Sequence, residues 1–191
     1  IEGIERILKK ETISLLALPL LIASCSSSKM VPEGEYILNK VEVKSDSAGY
    51  NAGALKQYVR QKEKPKLFSL FKNPFSKKPV IYDTLQARLS CQDLLTAMQN
   101  QGFMHAGVSL YTTKKGTKLD ATYLLHPGEP FVIGKVKYEV EDEHIQQLLH
   151  LDTPDNQQIK PGMRFTVETL DNERRRISSL LTNDGYFRFH K

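Results

Sequence analysis

The sequence predicts an α+β fold made of two tandem β-α-α-β-β modules, the second incomplete, behind an N-terminal signal segment. Three observations carry this. Apolar side chains switch from two-residue to helical spacing and back, in the order strand, short helix, long helix, hairpin, and the order then restarts. Both long helical patterns end in glycine followed by an aromatic residue, Gly102-Phe103 and Gly185-Tyr186. The restart falls directly after a proline-flanked joint, Pro127-Gly128-Glu129-Pro130.

The chain has 191 residues, of which 40% are apolar, with eight Tyr, eight Phe and no Trp; this suits a packed globular chain and not a disordered one. The net charge is +5. In residues 1–25 the cations Arg6, Lys9 and Lys10 balance Glu2, Glu5 and Glu11, so the excess lies beyond them. An excess of this size suits an anionic surface and is also common in plain soluble domains. The first residue is Ile, and Tyr186-Phe187-Arg188-Phe189-His190-Lys191 reads as the start of a strand, so both ends are expected to be truncated.

Residues 1–25 read as a secretion signal. A basic start is followed by the apolar run Ile13–Ile22, too short for a bilayer span of roughly 20 residues. Leu21-Ile22-Ala23-Ser24-Cys25 then has the order aliphatic, small, small, cysteine. This order resembles the lipobox of bacterial lipoproteins, in which small side chains let a peptidase reach the bond and the cysteine thiol accepts a lipid, and the resemblance implies Cys25 as a lipid anchor. Residues 26–35 form a polar tether. Of the two cysteines the anchor uses Cys25, and Cys91 falls on a helix face as a small core residue, so no disulfide is expected.

The first module spans residues 36–126. Tyr36 and Leu38 alternate, as do Val41 and Val43, but in opposite phase. A strand changes its buried face only through an extra residue, so a bulge with positive φ is expected at Asn39-Lys40. Leu55, Tyr58 and Val59 mark a short helix over residues 52–61. Asp83 or Thr84 caps a longer helix to about Gln101, with Ala87, Cys91, Leu94, Leu95 and Met98 on its apolar face. A hairpin comes next: Ala106, Val108 and Leu110 alternate on one strand, Leu119, Ala121, Tyr123 and Leu125 on the other, and Lys115-Gly116 makes the turn.

Residues 62–78 interrupt the pattern. Lys66, Lys72, Lys77 and Lys78 are interleaved with Phe68 and Phe71 and punctuated by prolines. One reading is a contact loop for anionic surfaces or a partner. The other is a long loop whose aromatics tuck back while its lysines stay solvated.

The joint, residues 127–130, should limit swivelling between modules. In residues 131–191 the programme repeats. Phe131 and Ile133 alternate, the phase slips at Gly134-Lys135, where a second bulge is expected, and Val136, Tyr138 and Val140 continue. Ile145, Leu148 and Leu149 mark the short helix; Thr166 caps the long one, with Val167, Leu170, Ile177 and Leu181 on one face. Strand positions repeat at an offset of 95 residues (Lys40 to Lys135) and helix ends at 83 (Gly102 to Gly185).

This order, with glycine-aromatic helix ends and a hairpin running into Pro-Gly-Glu-Pro, resembles polypeptide-transport-associated (POTRA) domains, the periplasmic repeats of outer-membrane barrel proteins. The Leu21–Cys25 stretch resembles the lipobox of bacterial lipoproteins. With Val31-Pro32-Glu33-Gly34-Glu35-Tyr36 behind it, the chain is similar to the lipid-anchored, translocation-and-assembly-module branch, also called surface-antigen proteins. The resemblance implies lipidation at Cys25, an outer-membrane location with modules facing the periplasm, and a C-terminal barrel missing from this fragment. It also implies unfolded outer-membrane or secreted polypeptides as partners.

An unfolded client would add as a strand along a free sheet edge, expected here along His105–Thr113 at Val108, Ser109, Leu110 and Tyr111. Two alternatives remain, a free-standing envelope lipoprotein scaffold and an anionic-surface binder acting through residues 62–78. No nucleic-acid partner, metal or cofactor is expected. His105, His126, His144, His150 and His190 have no ligand spacing, Asp142 and Glu143 read as a solvated helix start, and no phosphate-binding glycine loop exists, so the chain reads as a non-enzyme.

Overall fold

The computed structural model describes residues 31–64, 79–151 and 156–188. The fold is α+β, with a three-stranded sheet and helices. In order come β1 (Ile37–Ser45), a 3₁₀ helix (Ala52–Tyr58), α1 (Thr84–Asn100), β2 (Gly107–Lys115), β3 (Lys118–His126), α2 (Glu143–Leu151) and α3 (Val167–Asn183). The sheet order is β1-β3-β2, so the second hairpin strand lies in the middle.

The chain divides into two compact units, and the boundary crosses all three strands. The described part of the first is residues 31–39, 63–64, 79–82 and 113–120. It holds the start of β1 and the hairpin tip, where Gly116 takes φ 58° and Lys114 Nζ lies 4.4 Å from the centre of the Tyr36 ring. Leu38 and Leu119 are buried. Ile37 bridges Ile81, and Leu38 N–H donates to the Val80 carbonyl while Tyr82 N–H donates to the Tyr36 carbonyl, 2.8 Å each.

The second unit holds residues 40–62, 83–112 and 121–188 among those described. Its first core is Val41, Ala52, Leu55, Val59, Ala87, Leu94, Ala97, Met98, Phe103 and the inward row Ala121, Tyr123 and Leu125 of β3. Each large aliphatic side chain so buried contributes about 1.5–3 kcal/mol. The Asp83 carboxylate accepts from the N–H groups of Leu85 (2.7 Å) and Gln86 (3.2 Å), which starts α1. Both long helices stop alike. Gly102 and Gly185 take φ 93° and 99°, and Phe103 and Tyr186 donate N–H to the Met98 and Leu181 carbonyls at 3.1 and 2.9 Å.

Four expectations need correction. Residues 52–61 form a 3₁₀ helix only over Ala52–Tyr58, and Tyr58 is 44% exposed while Leu55 and Val59 are buried. The buried stripe of α1 runs through Ser90 and Ala97 instead of Cys91 and Leu95, which are half-buried. Ser90 is admitted because its hydroxyl donates to the Gln86 carbonyl (2.7 Å) and accepts from Arg60 N–H (3.0 Å). Leu38 and Val41 are both buried three residues apart within one strand, so the phase does slip. The slip uses no left-handed residue: among the described residues no non-glycine residue has positive φ, and Gly134 is not among the glycines that do. Instead the Asn39 amide reaches across to Asp120 Oδ1 at 2.5 Å.

The fourth correction concerns residues 131–140, which form no regular strand. Among the described residues their ladder consists of one bridge, Val132 to Arg164, flanked by bonds from Ile133 N–H to the Met163 carbonyl and from Phe165 N–H to the Phe131 carbonyl. Among the described residues the segment pairs with nothing further, and one short bridge does not make a regular strand. Its side chains nevertheless alternate: Val136, Tyr138 and Val140 are half-buried, and Lys135, Lys137 and Glu139 are exposed.

Candidate functional site: the outer strand β2

A sheet of order β1-β3-β2 leaves two outer strands. They differ in how much of the outer side is taken. Residues 80–82 bond the outer side of β1 at its start. β2 pairs with β3, and no other strand flanks it among the described residues. No residue of Gly107–Lys115 is proline, so every backbone N–H along it is present. Such an edge is a template for strand pairing.

Val108, Ser109 and Leu110 are half-buried, and Tyr111 is 57% exposed. The register of β2 is held by a side-chain strap that sequence reasoning missed. Ser109 Oγ lies 2.9 Å from His126 Nε2, and His126 Nδ1 lies 2.5 Å from Asp46 Oδ2. With Asp46 ionised, Nδ1–H donates to the carboxylate, and in the neutral ring Nε2 accepts the Ser109 hydroxyl. The order hydroxyl, imidazole, carboxylate is that of hydrolase relays. Here the hydroxyl belongs to a residue inside a regular nine-residue strand, and the three groups come from β2, the end of β3 and the residue after β1. The strap thus ties three segments up to 80 positions apart, a separation that no local spacing reveals.

Behind the site, the joint is packed. Pro127 is buried, and Phe131 N–H donates to the Gly102 carbonyl at 2.8 Å. The His105 and Phe131 rings meet edge to face at 5.0 Å, and Tyr50 meets Phe103 the same way at 5.2 Å. The Arg164 guanidinium lies 5.2 Å from the centre of the Phe103 ring. A groove of about 450 Å³ runs past Tyr50, Gln101, Phe103, Glu129 and Arg164. Elsewhere in the second unit Glu173, 3% exposed, accepts from Tyr138 Oη (2.6 Å), Gln158 N–H (2.7 Å) and Arg176. Burial first, then that carboxylate, pushes the Tyr138 hydroxyl up to about 12.

The predicted Cys25 and the contact residues Lys66, Phe68, Phe71, Lys72, Lys77 and Lys78 lie outside the described residues. Asp142 is a helix cap, with Oδ1 accepting from His144 and Ile145 N–H. Burial raises the Cys91 thiol above its ordinary value. Among the described residues no group of three or more His, Cys, Asp or Glu is arranged to hold a metal, and no helix is long and apolar enough to cross a membrane.

No family model and no curated protein matches the chain. Among solved structures it is similar to a crystal structure of Haemophilus influenzae BamA POTRA3-5, at TM-score 0.41 and 9% identity over 75% of this chain. The match spans half the length of that structure.

Proposed function

We propose that this chain is the periplasmic client-handling and docking region of an outer-membrane β-barrel assembly or protein-translocation factor. It binds unfolded outer-membrane or secreted polypeptide by strand addition along β2, at Val108, Ser109, Leu110 and Tyr111. The observation that supports this is the outer position of β2, whose backbone meets no further strand among the described residues. Main-chain pairing there makes little demand on client sequence, and the half-polar face suits a reversible contact. A lipid on Cys25 holds the chain at the outer membrane. The joint, with Phe131 bonded to Gly102, keeps the edge at a set angle to the segment that comes after it.

Photo-crosslinking groups at Ser109 and Tyr111, with one at the exposed Leu85 on α1 as control, test the reading. Capture of an unfolded outer-membrane polypeptide at 109 and 111 but not at 85 is expected. Equal capture at all three sites, or capture at none, refutes it.

A further inference from the structure

The strap of Ser109, His126 and Asp46 has the geometry of an activated nucleophile as well as that of a tie. Ser109 Oγ lies 2.9 Å from His126 Nε2, within reach of proton transfer, and His126 Nδ1 lies 2.5 Å from Asp46 Oδ2. All three residues stand in the second compact unit. The sequence pattern that reads as a non-enzyme holds no trace of them, since the pairs are 17 and 80 positions apart. Asp46 is itself fixed to β3, where its N–H donates to the Leu125 carbonyl at 3.2 Å. The carboxylate selects the tautomer that leaves Nε2 as an acceptor, the form a general base needs.

Alternation along the sheet sets an outward N–H beside the hydroxyl. The Leu125 carbonyl faces β1, so the backbone of His126 faces β2. A Cβ at Gly107 would fall 3.7 Å from His126 Cβ, which sets Gly107 opposite His126. Gly107, Ser109 and Tyr111 therefore turn their backbone groups toward β3, and Val108 and Leu110 turn theirs to the open side of β2. The N–H of Leu110, directly after the hydroxyl-bearing residue, is placed where such a donor meets an oxyanion. Gly107 puts no side chain beside Ser109 on its face, and Tyr111, 57% exposed, stands on the other side. The side chains of His126 and Asp46 are 38% and 51% exposed, so water reaches the ring.

We infer that Ser109 is an acyl-accepting nucleophile, with His126 as its general base and Asp46 as the positioning residue, and that its substrates are carboxylic esters with an apolar acyl group. Ser109 Oγ attacks the ester carbonyl carbon while its proton passes to His126 Nε2. The carbonyl oxygen takes the negative charge and accepts from Leu110 N–H. As the bond to the alcohol oxygen breaks, Nε2–H gives that proton to the departing alkoxide, and the acyl group stays on Ser109. Water then attacks the same carbon and gives a proton to Nε2. The carboxylic acid leaves as that proton returns to Ser109 Oγ. Asp46 faces the imidazolium at Nδ1 and stays ionised. The acyl chain lies along the exposed Tyr111. Partial exposure of His126 and Asp46 keeps the acceleration at the low end for a general base, about 10²-fold. Acyl transfer here is independent of client binding: a polypeptide paired along β2 would cover Ser109, so the two uses of the strand exclude one another.

The test treats the full chain with an alkyl fluorophosphonate, whose fluoride leaves as a serine oxygen bonds to phosphorus, and locates the adduct by peptide mass spectrometry. Ser109 should be modified about 10²-fold faster than the exposed Ser47 and Ser179. p-Nitrophenyl butyrate should release p-nitrophenol, and Ser109→Ala or prior fluorophosphonate treatment should abolish the release. His126→Ala should slow both reactions about 10²-fold and regain part of the rate with added imidazole, a rescue that a merely structural role does not give. Asp46→Asn should slow turnover without raising KM. Circular dichroism checks that each variant keeps the fold. Modification of Ser109 no faster than that of Ser47 and Ser179 in the unaltered chain overturns the inference, whatever the variants do. So does full-rate modification in a folded His126→Ala chain, or ester cleavage that persists in Ser109→Ala. Client crosslinks at 109 and 111 bear only on the β2 reading, so the two can fail separately.

Discussion

Gly102→Ala and Gly185→Ala form a matched pair, because the two glycines end α1 and α3 in the same way. Both take positive φ, 93° and 99°, so a Cβ at either costs about 1 kcal/mol of backbone strain. The surroundings differ. At Gly185 a Cβ meets nothing within 4 Å, whereas at Gly102 it falls 2.6 Å from the Phe165 carbonyl oxygen and 3.1 Å from Arg164 Cγ. The obstacle is backbone and has no rotamer to retreat into. Phe165 N–H is bonded to the Phe131 carbonyl and Phe131 N–H to the Gly102 carbonyl, both at 2.8 Å, so any shift of residue 165 strains the joint as well. Overpacking of this kind costs roughly 1–3 kcal/mol. Gly102→Ala should therefore lower stability by about 2–4 kcal/mol and Gly185→Ala by about 1 kcal/mol. Urea unfolding followed by circular dichroism measures both, and amide exchange at Phe131 and Phe165 should quicken in Gly102→Ala alone. Equal destabilisation by the two variants, or unchanged exchange at Phe131 and Phe165 in Gly102→Ala, would refute the reasoning.

Ser90→Ala leaves the Arg60 N–H without its acceptor and should cost about 1–3 kcal/mol in the same assay; Cys91→Ala, on the half-buried flank, should cost less, and the reverse order would contradict the stripe assigned to α1. Tyr138 keeps its proton up to about pH 12 in the folded chain, against an ordinary value of 10.0. Its contribution to stability is therefore complete below pH 10 and declines as pH rises toward 12. Phenolate absorbance and unfolding at stepped pH should show this decline, and Tyr138→Phe should remove it.

Local chemistry determined much of this protein. Asp83 and Thr166 announce their helices because a short oxygen-bearing side chain there satisfies free N–H groups, Asp83 those of Leu85 and Gln86 and Thr166 that of Thr169. Gly102 and Gly185 announce the ends because left-handed φ favours glycine. Leu119, Ala121, Tyr123 and Leu125 are all buried because a strand has a period of two. The offsets of 95 and 83 recur in single hydrogen bonds: Leu38 to Val80 matches Ile133 to Met163, and Tyr82 to Tyr36 matches Phe165 to Phe131. What residue pattern could not supply depends on contacts across long separations. Ser109, His126 and Asp46 meet only because β3 is central. Ser90 is buried only because Arg60 N–H arrives at its hydroxyl, and Glu173 only because Tyr138, Gln158 and Arg176 converge on it. The alternation in residues 131–140 was legible, but a strand is a property of two segments. Among the described residues that second segment is residues 162–165, which reach only the start of 131–140.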